Sequence, residues 1–555
     1  MKADQIIKNA KIFTADAANP MATALVVKDG KFAYVGDESG LSAYEGDVID
    51  LGGKFVMPGI IDSHVHVTTG VGFQYVAYGE FIACSSKQDA LDFMAKHIAA
   101  NPEQERYRFI LERGSLNGEM LTKEDLDGVC PDHELQVLEL DIHSVWVNSK
   151  ILELHGITDA TPDPAPGLAY FVRKDGHVTG NAFESAGWPF LFDAVRKNLT
   201  DEQIAQAVSR WIAFCEEFGV SSVFDAGFPE HNDIHERIYD HLRRLDLEGK
   251  LPVYIDGCYV LTNRHKMKEA IEETKRFNRK FTTEHLKVHT LKIFMDGTLK
   301  IETAALVTPY ADGATGATTF NAEEVAEILK DLNEAGLDLH VHTVGEQASR
   351  VVLDGVELAR KALGDKYRVK VTCAHLWIQD DADLDRFAKL GVTANFTPAW
   401  HSGVVGGKPF ELWSKLLGRE RAAKMYRCKT IWDSGALVTW SSDDVSYGDF
   451  ITWNPYLGME IGMTRFNSEH TRVPEVGRVE SEYPSANEKM NIEQMIVGYT
   501  INGAKQLGVE ARKGSIAAGK DADYLVFDTD LLTASATGLS HVKPREVYFG
   551  GKKQN

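Results

Sequence analysis

Residues 55–67 read FVMPGIIDSHVHV, an apolar run that turns at Pro58-Gly59 and ends in two histidines. Short runs rich in Val and Ile that are bounded by Gly and Pro are typical of β-strands. Alternate residues of a strand point to the same face, so His64 and His66 can both reach a single ion. A His-x-His pair by itself is a weak signal, because such pairs arise by chance, and two solvated loop histidines are the alternative.

Seven further apolar runs of this kind follow along the chain. Helix-like segments, such as residues 323–336 and 382–391, fill most of the gaps between them. Strands that alternate with helices predict a parallel sheet, and eight such units favour a closed (β/α)8 TIM barrel. An open doubly wound sheet is the alternative. The seven runs are residues 220–227, 251–260, 291–298, 337–345, 369–376, 392–398 and 436–443.

The two ends of the chain have a different pattern. Both show short alternating strands broken by glycine turns, which predicts a small β-sandwich domain built from residues 1–57 plus 508–555. The barrel then occupies residues 58–507. A long gap after the first strand predicts a large insertion, at about residues 70–215, on the active-site side of the barrel.

Composition limits the partners and the location that we expect. The 555 residues hold 60 Lys and Arg against 81 Asp and Glu, a net charge of −21, which argues against nucleic-acid and anionic-membrane partners. The N-terminus lacks the pattern of a signal peptide, and the six cysteines form no CxxC pair. We therefore expect a cytoplasmic protein. A small molecule is then the expected partner, and a homodimer is the commonest assembly among soluble enzymes.

Residue types that bind metal ions end five of the predicted strands. Taken one at a time, each has an ordinary explanation, such as a lysine reaching water or an aspartate that caps a helix. Together, at the ends where barrel active sites lie, they form a nitrogen and oxygen ligand set suited to Zn²⁺, with Fe²⁺ or Mn²⁺ as alternatives. They are His64 and His66 on strand one, Lys292 on strand four, His342 on strand five, His375 on strand six and Asp443 with Asp444 on strand eight.

Two histidines and one lysine need a more specific interpretation. His340 and His342 share a face of strand five, and His342 lies nearer the mouth, so we predict His342 as the ligand and His340 as a residue of the layer below. Lys292 lies within an apolar strand, where burial lowers the pKa of an amine. Such an amine can add CO₂, and the resulting carbamate can bridge two cations.

In these motifs the sequence resembles the amidohydrolase superfamily, in the branch typified by N-substituted formamide deformylase and the YtcJ-like metal-dependent hydrolases. The resemblance implies two divalent cations: His64, His66 and Asp443 would hold the first, His342 and His375 the second, and a carboxylated Lys292 would bridge them. The motifs that carry the resemblance are residues 55–67, 143–149, 219–227, 291–298, 342–348, 373–376, 441–444 and 499–528.

The resemblance also implies an activity. A metal-activated hydroxide would hydrolyse a carbon–nitrogen bond in an amide, formamide or cyclic amide, with Asp443 as the proton shuttle. His143 and Trp146 would contact substrate, although a buried aromatic cluster supporting the insertion explains them equally well. A mononuclear deaminase, in which Lys292 is structural, and a non-catalytic regulatory or binding protein that retains the barrel are the alternatives.

Three departures from the family's motifs concern the pocket. Gly345-Glu346 stands where the family has Gly-Asp, and residues 441–445 read SSDDV where it has Gly-Ser-Asp-Ala-Pro. Asp141-Ile142-His143 stands where it has Asp-Gly-His. All six ligand positions survive, so the departures bear on pocket shape and substrate.

Overall fold

The structure is a computed structural model that describes residues 1–73, 80–116, 118–139, 142–227, 233–402, 409–445, 453–467, 483 and 485–554. Its centre is a parallel sheet in which each strand pairs with the next along the chain. The predicted barrel is thereby confirmed: seven of the eight predicted runs contain one of its strands, and the fourth run overlaps a strand that begins earlier, at Leu286. In chain order, the barrel strands are Ile60–Val65, Val220–Asp225, Tyr254–Val260, Leu286–Phe294, Asp338–Thr343, Val371–His375, Thr393–Phe396 and Val438–Trp440.

The first and eighth barrel strands meet just beyond their ends. The Asp443 N–H donates to the His64 carbonyl at 2.8 Å, and the His66 N–H donates to the Asp444 carbonyl at 3.0 Å. Asp62 reinforces this seam, because its carboxylate accepts from the Ser442 N–H at 3.0 Å and from the Ser442 hydroxyl at 2.5 Å. The backbone therefore nearly closes the barrel at the level of the two histidines of strand one.

Helices surround the barrel and begin and end where local signals place them. The helix Ala322–Ala335, for example, has a capping box between Asn321 and Glu324 and ends at Gly336, whose φ is +68°. Among the described helices, none is both long and apolar enough to span a bilayer. The described α-helices are Val67–Phe73, Lys87–Ala100, Lys123–Val129, Ser149–Leu154, Trp188–Asn198, Asp201–Phe218, Asp233–Leu247, Met267–Phe281, Ala322–Ala335, Glu346–Leu363, Arg386–Leu390, Pro409–Leu417, Arg419–Ala422, Cys428–Asp433, Pro455–Thr464, Ile492–Val497 and Gly503–Leu507.

A separate sheet lies between the first and second barrel strands, in the region predicted as an insertion. Its first three strands are parallel and its last three antiparallel, and it has its own core, in which Trp146 is fully buried. The strands are Glu80–Ile82, Arg106–Leu111, Glu134–Glu139, Ser144–Val147, Phe171–Lys174 and His177–Phe183.

The strands near the two chain ends pair with one another. Phe55–Pro58 is antiparallel to Tyr524–Phe527, and side chains from both ends, such as Ile12 and Tyr524, share one core. The boundaries predicted at residues 57 and 508 remain predictions. One sheet contains Lys2–Lys8, Ala24–Lys28, Lys31–Gly36 and Glu45–Asp50, and the other contains Lys11–Phe13, Met21–Ala22, Phe55–Pro58, Tyr524–Phe527, Glu546–Phe549 and Lys552–Lys553.

Candidate metal centre

Four of the six predicted metal ligands, His64, His66, His375 and Asp443, come together at the mouth of the barrel. Asp443 is their centre: its Oδ1 lies 3.1 Å from His64 Nε2 and 3.3 Å from His66 Nε2, and its Oδ2 lies 3.6 Å from His375 Nδ1. One ligand atom from each of His64, His375 and Asp443 lies within 4.8 Å of the others. Strands one, six and eight thus contribute to a single cluster.

Three atoms of this cluster are buried and have no hydrogen-bond partner in the part of the chain that the structure describes. Among the described residues, nothing hydrogen-bonds His64 Nε2, His375 Nδ1 or Asp443 Oδ1. An unpaired buried polar atom is costly, so groups of this kind are normally satisfied. Two imidazole nitrogens and a carboxylate oxygen that converge in this way are a donor set that fits a divalent cation such as Zn²⁺.

The backbone at two of these residues is strained. His375 has φ +79° and Asp443 has φ +50°, both in the left-handed region that disfavours non-glycine residues. Such conformations persist where the surrounding structure imposes them, and they concentrate at functional sites. Here the bond from the Asp443 N–H to the His64 carbonyl imposes one of them.

His342 lies beside this group but outside it. Its ring centroid is 4.5 Å from that of His375 and 5.2 Å from that of Phe294, and its Nε2 donates to the Gly297 carbonyl at 3.2 Å. That bond places the proton on Nε2 and leaves Nδ1 as the nitrogen with a lone pair. His342 therefore lies beside the cluster, with Nδ1 as the nitrogen that could bind a cation.

Lys292 is buried in the fourth strand and belongs to the same electrostatic cluster. Its side chain is 1% exposed, and its backbone is in register with His340 of the fifth strand. Burial lowers the pKa of Lys292 to about 8, although Asp443 opposes this shift. An amine with this pKa is partly neutral near pH 7, which is the form that adds CO₂.

The protonation states at the mouth also suit metal binding. Burial, together with the positive charge of Lys292, lowers the pKa of His64, His342 and His375 well below its ordinary value. Burial raises the pKa of Asp443, but His375, His66 and Lys292 outweigh it and lower that pKa to about 2. Neutral imidazoles and an ionised carboxylate are the forms that bind metal ions.

His340 occupies the layer below the ligands. Its Nε2 lies 2.8 Å from Nδ1 of His64, and its ring stacks on Phe224 at a centroid distance of 4.3 Å. The contact orients the His64 ring so that Nε2 faces Asp443. The sequence placed His340 in this layer but did not predict its contact with strand one.

Asp296, four residues after Lys292 and just beyond the fourth strand, is another residue that the sequence did not identify. Its fully buried carboxylate accepts from the N–H groups of Val344 and Gly345, at 2.9 and 2.8 Å, and of Ala305, at 2.9 Å. These bonds join the loops that follow the fourth and fifth strands, next to His342. An acidic residue within a predicted apolar strand was the signal that could have identified it.

The two predicted substrate contacts lie in different places. The His143 ring is 5.7 Å from that of His342, and its Nδ1 lies 2.8 Å from Oε2 of Glu184. Trp146 is fully buried in the core of the insertion, where the Arg113 guanidinium lies 4.6 Å from its ring centroid. His143 thus lies near the mouth, whereas Trp146 does not join the cluster. Asp141, which opens this motif, lies outside the described residues.

Comparisons with known proteins agree with this architecture. Residues 47–553 match the family described as "Amidohydrolase family". The exoenzymes regulatory protein AepA of Pectobacterium carotovorum subsp. carotovorum is 28% identical over 414 residues, covering 72% of this chain and 86% of that protein. N-substituted formamide deformylase of Arthrobacter pascens is 25% identical over 568 residues, covering 99% and 97% respectively. The resemblance predicted from the motifs is confirmed.

A solved structure shares the fold over nearly its full length. It is described as an uncharacterized metal-dependent hydrolase from Pyrococcus horikoshii OT3, with a TM-score of 0.68 and 21% sequence identity. The match covers 96% of this chain and 99% of that one. At this identity the likeness is one of fold.

Proposed function

This chain belongs to the amidohydrolase family, and on that premise we propose that it is a metal-dependent hydrolase of a carbon–nitrogen bond in a non-peptide amide, formamide or cyclic amide. The family is metal-dependent. The observation that carries the proposal is the convergence of the unpartnered atoms His64 Nε2, His375 Nδ1 and Asp443 Oδ1 among the described residues. The formamide deformylase relative, similar over nearly the whole chain, supports the choice of bond.

We assign the cations to the residues at the mouth. His64, His66 and Asp443 would hold one ion, His342 and His375 a second, and Lys292, as a carbamate, would bridge them. Zn²⁺ suits this donor set, with Fe²⁺ and Mn²⁺ as alternatives. When bound, divalent cations lower the pKa of a water molecule and polarise the substrate carbonyl.

The side chains of this protein then account for proton transfer. The carboxylate oxygens of Asp443 lie within 3.6 Å of three histidines, and this central place in the cluster supports a role in proton transfer. We propose that it accepts the proton of the attacking water and passes it to the leaving nitrogen as the carbon–nitrogen bond breaks. A carboxylate suits this role because the proton must move in both directions within one turnover.

A mononuclear deaminase is the second candidate. The observation in its favour is that three ligands, His64, His375 and Asp443, converge within 4.8 Å among the described residues, as for one ion. In that case Lys292 would be unmodified. The metal content of the purified protein separates the two: near two ions per chain for the hydrolase and near one for the deaminase.

The decisive experiment is a substrate screen on metal-loaded protein. We would incubate it with N-formyl amines, N-acyl amines and cyclic amides, and detect released amine and acid. Release of an amine from any of these, abolished by a chelator and restored by Zn²⁺, supports the hydrolase. The similarity to AepA, a regulatory protein by its name, makes a non-catalytic role the outcome if loaded protein turns over none of them. A cytoplasmic location and a homodimer remain predictions, to be tested by fractionation and by light scattering.

A further inference from the structure

Glu184 joins the insertion to the barrel mouth, although no sequence motif identified it. It directly follows the insertion strand His177–Phe183, and its side chain is buried. One carboxylate oxygen accepts from His143 Nδ1 at 2.8 Å, and the other accepts from the hydroxyl of Thr303 at 3.0 Å. Thr303 belongs to the loop after the fourth barrel strand, so one side chain links both regions.

The backbone of Glu184 is strained in a way that its side chain explains. Its φ is +52°, in the left-handed region where glycine or asparagine is the usual residue. Its N–H donates to the carbonyl of His143 at 2.8 Å, so both backbone and side chain contact the same histidine. A glutamate at a position that favours glycine, with both carboxylate oxygens hydrogen-bonded, points to a specific role for the carboxylate.

On the barrel side, Glu184 packs tightly against Gly297 and Thr303. A Cβ added to Gly297 would lie 2.3 Å from Glu184 Oε1 and 2.2 Å from Thr303 Oγ1, so glycine is required there. The Gly297 carbonyl accepts from His342 Nε2 at 3.2 Å. Glu184 therefore packs directly against the peptide that orients His342, while it holds His143 beside the same ring.

We propose that Glu184 is a positioning residue that fixes the ring and the Nδ1 proton of His143 at the place where a substrate amide meets the metal centre. A carboxylate at Nδ1 is a general way to set the tautomer and orientation of a functional imidazole. The inference rests on the proposed hydrolase function for the contact between His143 and substrate. Glu184 itself touches none of the reacting atoms.

The competing explanation is that Glu184 only holds the insertion against the barrel. Other ion pairs already do this. Lys300, in the same loop as Thr303, lies 2.6 Å from both Glu112 and Glu139 of the insertion, and all three side chains are largely buried. These ion pairs hold the insertion to the barrel independently of Glu184. Variants of Glu184 are therefore expected to fold with the insertion in place.

The test uses Glu184→Gly in the full-length, metal-loaded protein. Glycine removes the carboxylate and relieves the left-handed backbone, so the melting temperature should stay equal or rise. We expect kcat/KM to fall about 10- to 100-fold, mainly through kcat, with unchanged metal content. Glu184→Gln, whose amide oxygen can still accept from Nδ1, should recover part of this loss.

Glu302→Gly is the matched control. Glu302 lies in the same loop as Thr303 and has φ +57°, but its carboxyl faces Asp312 rather than His143. This variant should keep full activity. Equal losses in Glu184→Gly and Glu302→Gly would overturn the proposal, because they would reflect the change in a left-handed backbone and not the loss of the carboxylate.

A double mutant tests whether Glu184 acts through His143. In the His143→Ala background, Glu184→Gly should cause no further loss of kcat/KM. A further loss as large as that in the wild-type background would overturn the inference.

A readout without turnover separates this inference from the proposed function. Nitrogen-15 NMR of labelled histidine, with the His143 signals identified by His143→Gln, should show the Nδ1-protonated tautomer in wild type and its loss in Glu184→Gly. If wild type hydrolyses no amide but this change occurs, the proposed function fails and the positioning contact stands. An unchanged tautomer overturns the positioning role whatever the activity.

Discussion

Histidines lie against carboxylates at both ends of the barrel, but the two ends differ in how these side chains are paired. Near the start of the fourth strand, His289 lies between Asp256 and Asp338, with nitrogen–oxygen distances of 3.3 and 3.0 Å. Burial lowers the pKa of His289, but the two carboxylates outweigh it and raise that pKa to about 9. Both ring nitrogens have partners, so this cluster is a completed ion pair.

Lys292, three residues further along the same strand, belongs to the cluster at the mouth, where the polar side chains are not paired in this way. At the mouth, His64 Nε2, His375 Nδ1 and Asp443 Oδ1 face one another without a hydrogen-bond partner among the described residues. At the mouth the effect of burial dominates, so the pKa of His64 and of His375 lies well below the ordinary value. The comparison shows that residue type alone does not identify a site. At one end a histidine and two carboxylates form ion pairs that stabilise the fold, whereas at the other the buried nitrogen and oxygen atoms that lack a hydrogen-bond partner among the described residues can bind a ligand.

The largest effect should come from Asp443→Asn at the mouth. The amide cannot accept and return a proton, so kcat should fall about 10³-fold, while the histidines retain part of the metal. Steady-state kinetics and metal analysis measure both. Asp444→Asn, at the adjacent buried carboxylate, should keep most of the turnover. If Asp444→Asn loses activity and Asp443→Asn does not, the proton shuttle has been assigned to the wrong carboxylate.

Lys292→Ala should have the next largest effect. Without the bridging group, the protein should lose one cation per chain and about 100-fold in kcat/KM, and short carboxylic acids such as acetate should restore part of it. Lys287→Ala, at the other end of the same strand, should change neither quantity. Retention of both cations in Lys292→Ala would show that the lysine is structural.

His340→Phe should weaken metal binding more modestly. Phenylalanine keeps the stacking on Phe224 but removes the nitrogen that orients His64, and loss of such a partner costs about 10- to 100-fold in metal affinity. Competition with a chromophoric zinc chelator measures the affinity. Wild-type affinity in this variant would mean that packing alone orients His64.

The smallest effect on activity, and a distinct one on stability, is expected at the other end of the barrel. The pKa of His289 is higher in the folded protein, so its stabilisation is complete below about pH 6.5 and is lost as the pH rises through about 9. His289→Gln should therefore lower the stability by about 2 kcal/mol at pH 6 and by much less at pH 10.

Melting temperatures across this pH range, with kcat/KM and metal content at pH 7, test the comparison directly. We expect His289→Gln to leave both kinetic parameters and metal unchanged. A loss of metal in this variant would contradict the division between a structural end and a metal-binding end.

The barrel was predictable because buried parallel strands are short apolar runs, and that is a local property. The errors in strand length have local causes as well. The fourth strand begins at Leu286, before the predicted run at 291, because Lys287 and His289 interrupt the apolar pattern at the paired end. The eighth ends at Trp440, since the chain then bends to bring Asp443 to the mouth.

The candidate site was predictable in its residue types but not in its contacts. Alternation along a strand showed that His64 and His66 share a face, and position near a strand end favoured His342 over His340. The contacts of His143 with Glu184, His64 with His340 and Asp62 with Ser442 join residues 41, 276 and 380 positions apart. No spacing rule reaches across such distances.

By itself, the sequence determined which side chains end each barrel strand and which face they share, because run length and alternation depend only on neighbouring residues. The tertiary structure decided which of those side chains would be paired. Barrel closure brings the first and eighth strands together at His64 and Asp443, and whether a buried polar atom finds a partner depends on every element packed around it. For that reason His289 became part of an ion pair, while His64 faces a carboxylate oxygen that has no hydrogen-bond partner in the part of the chain that the structure describes.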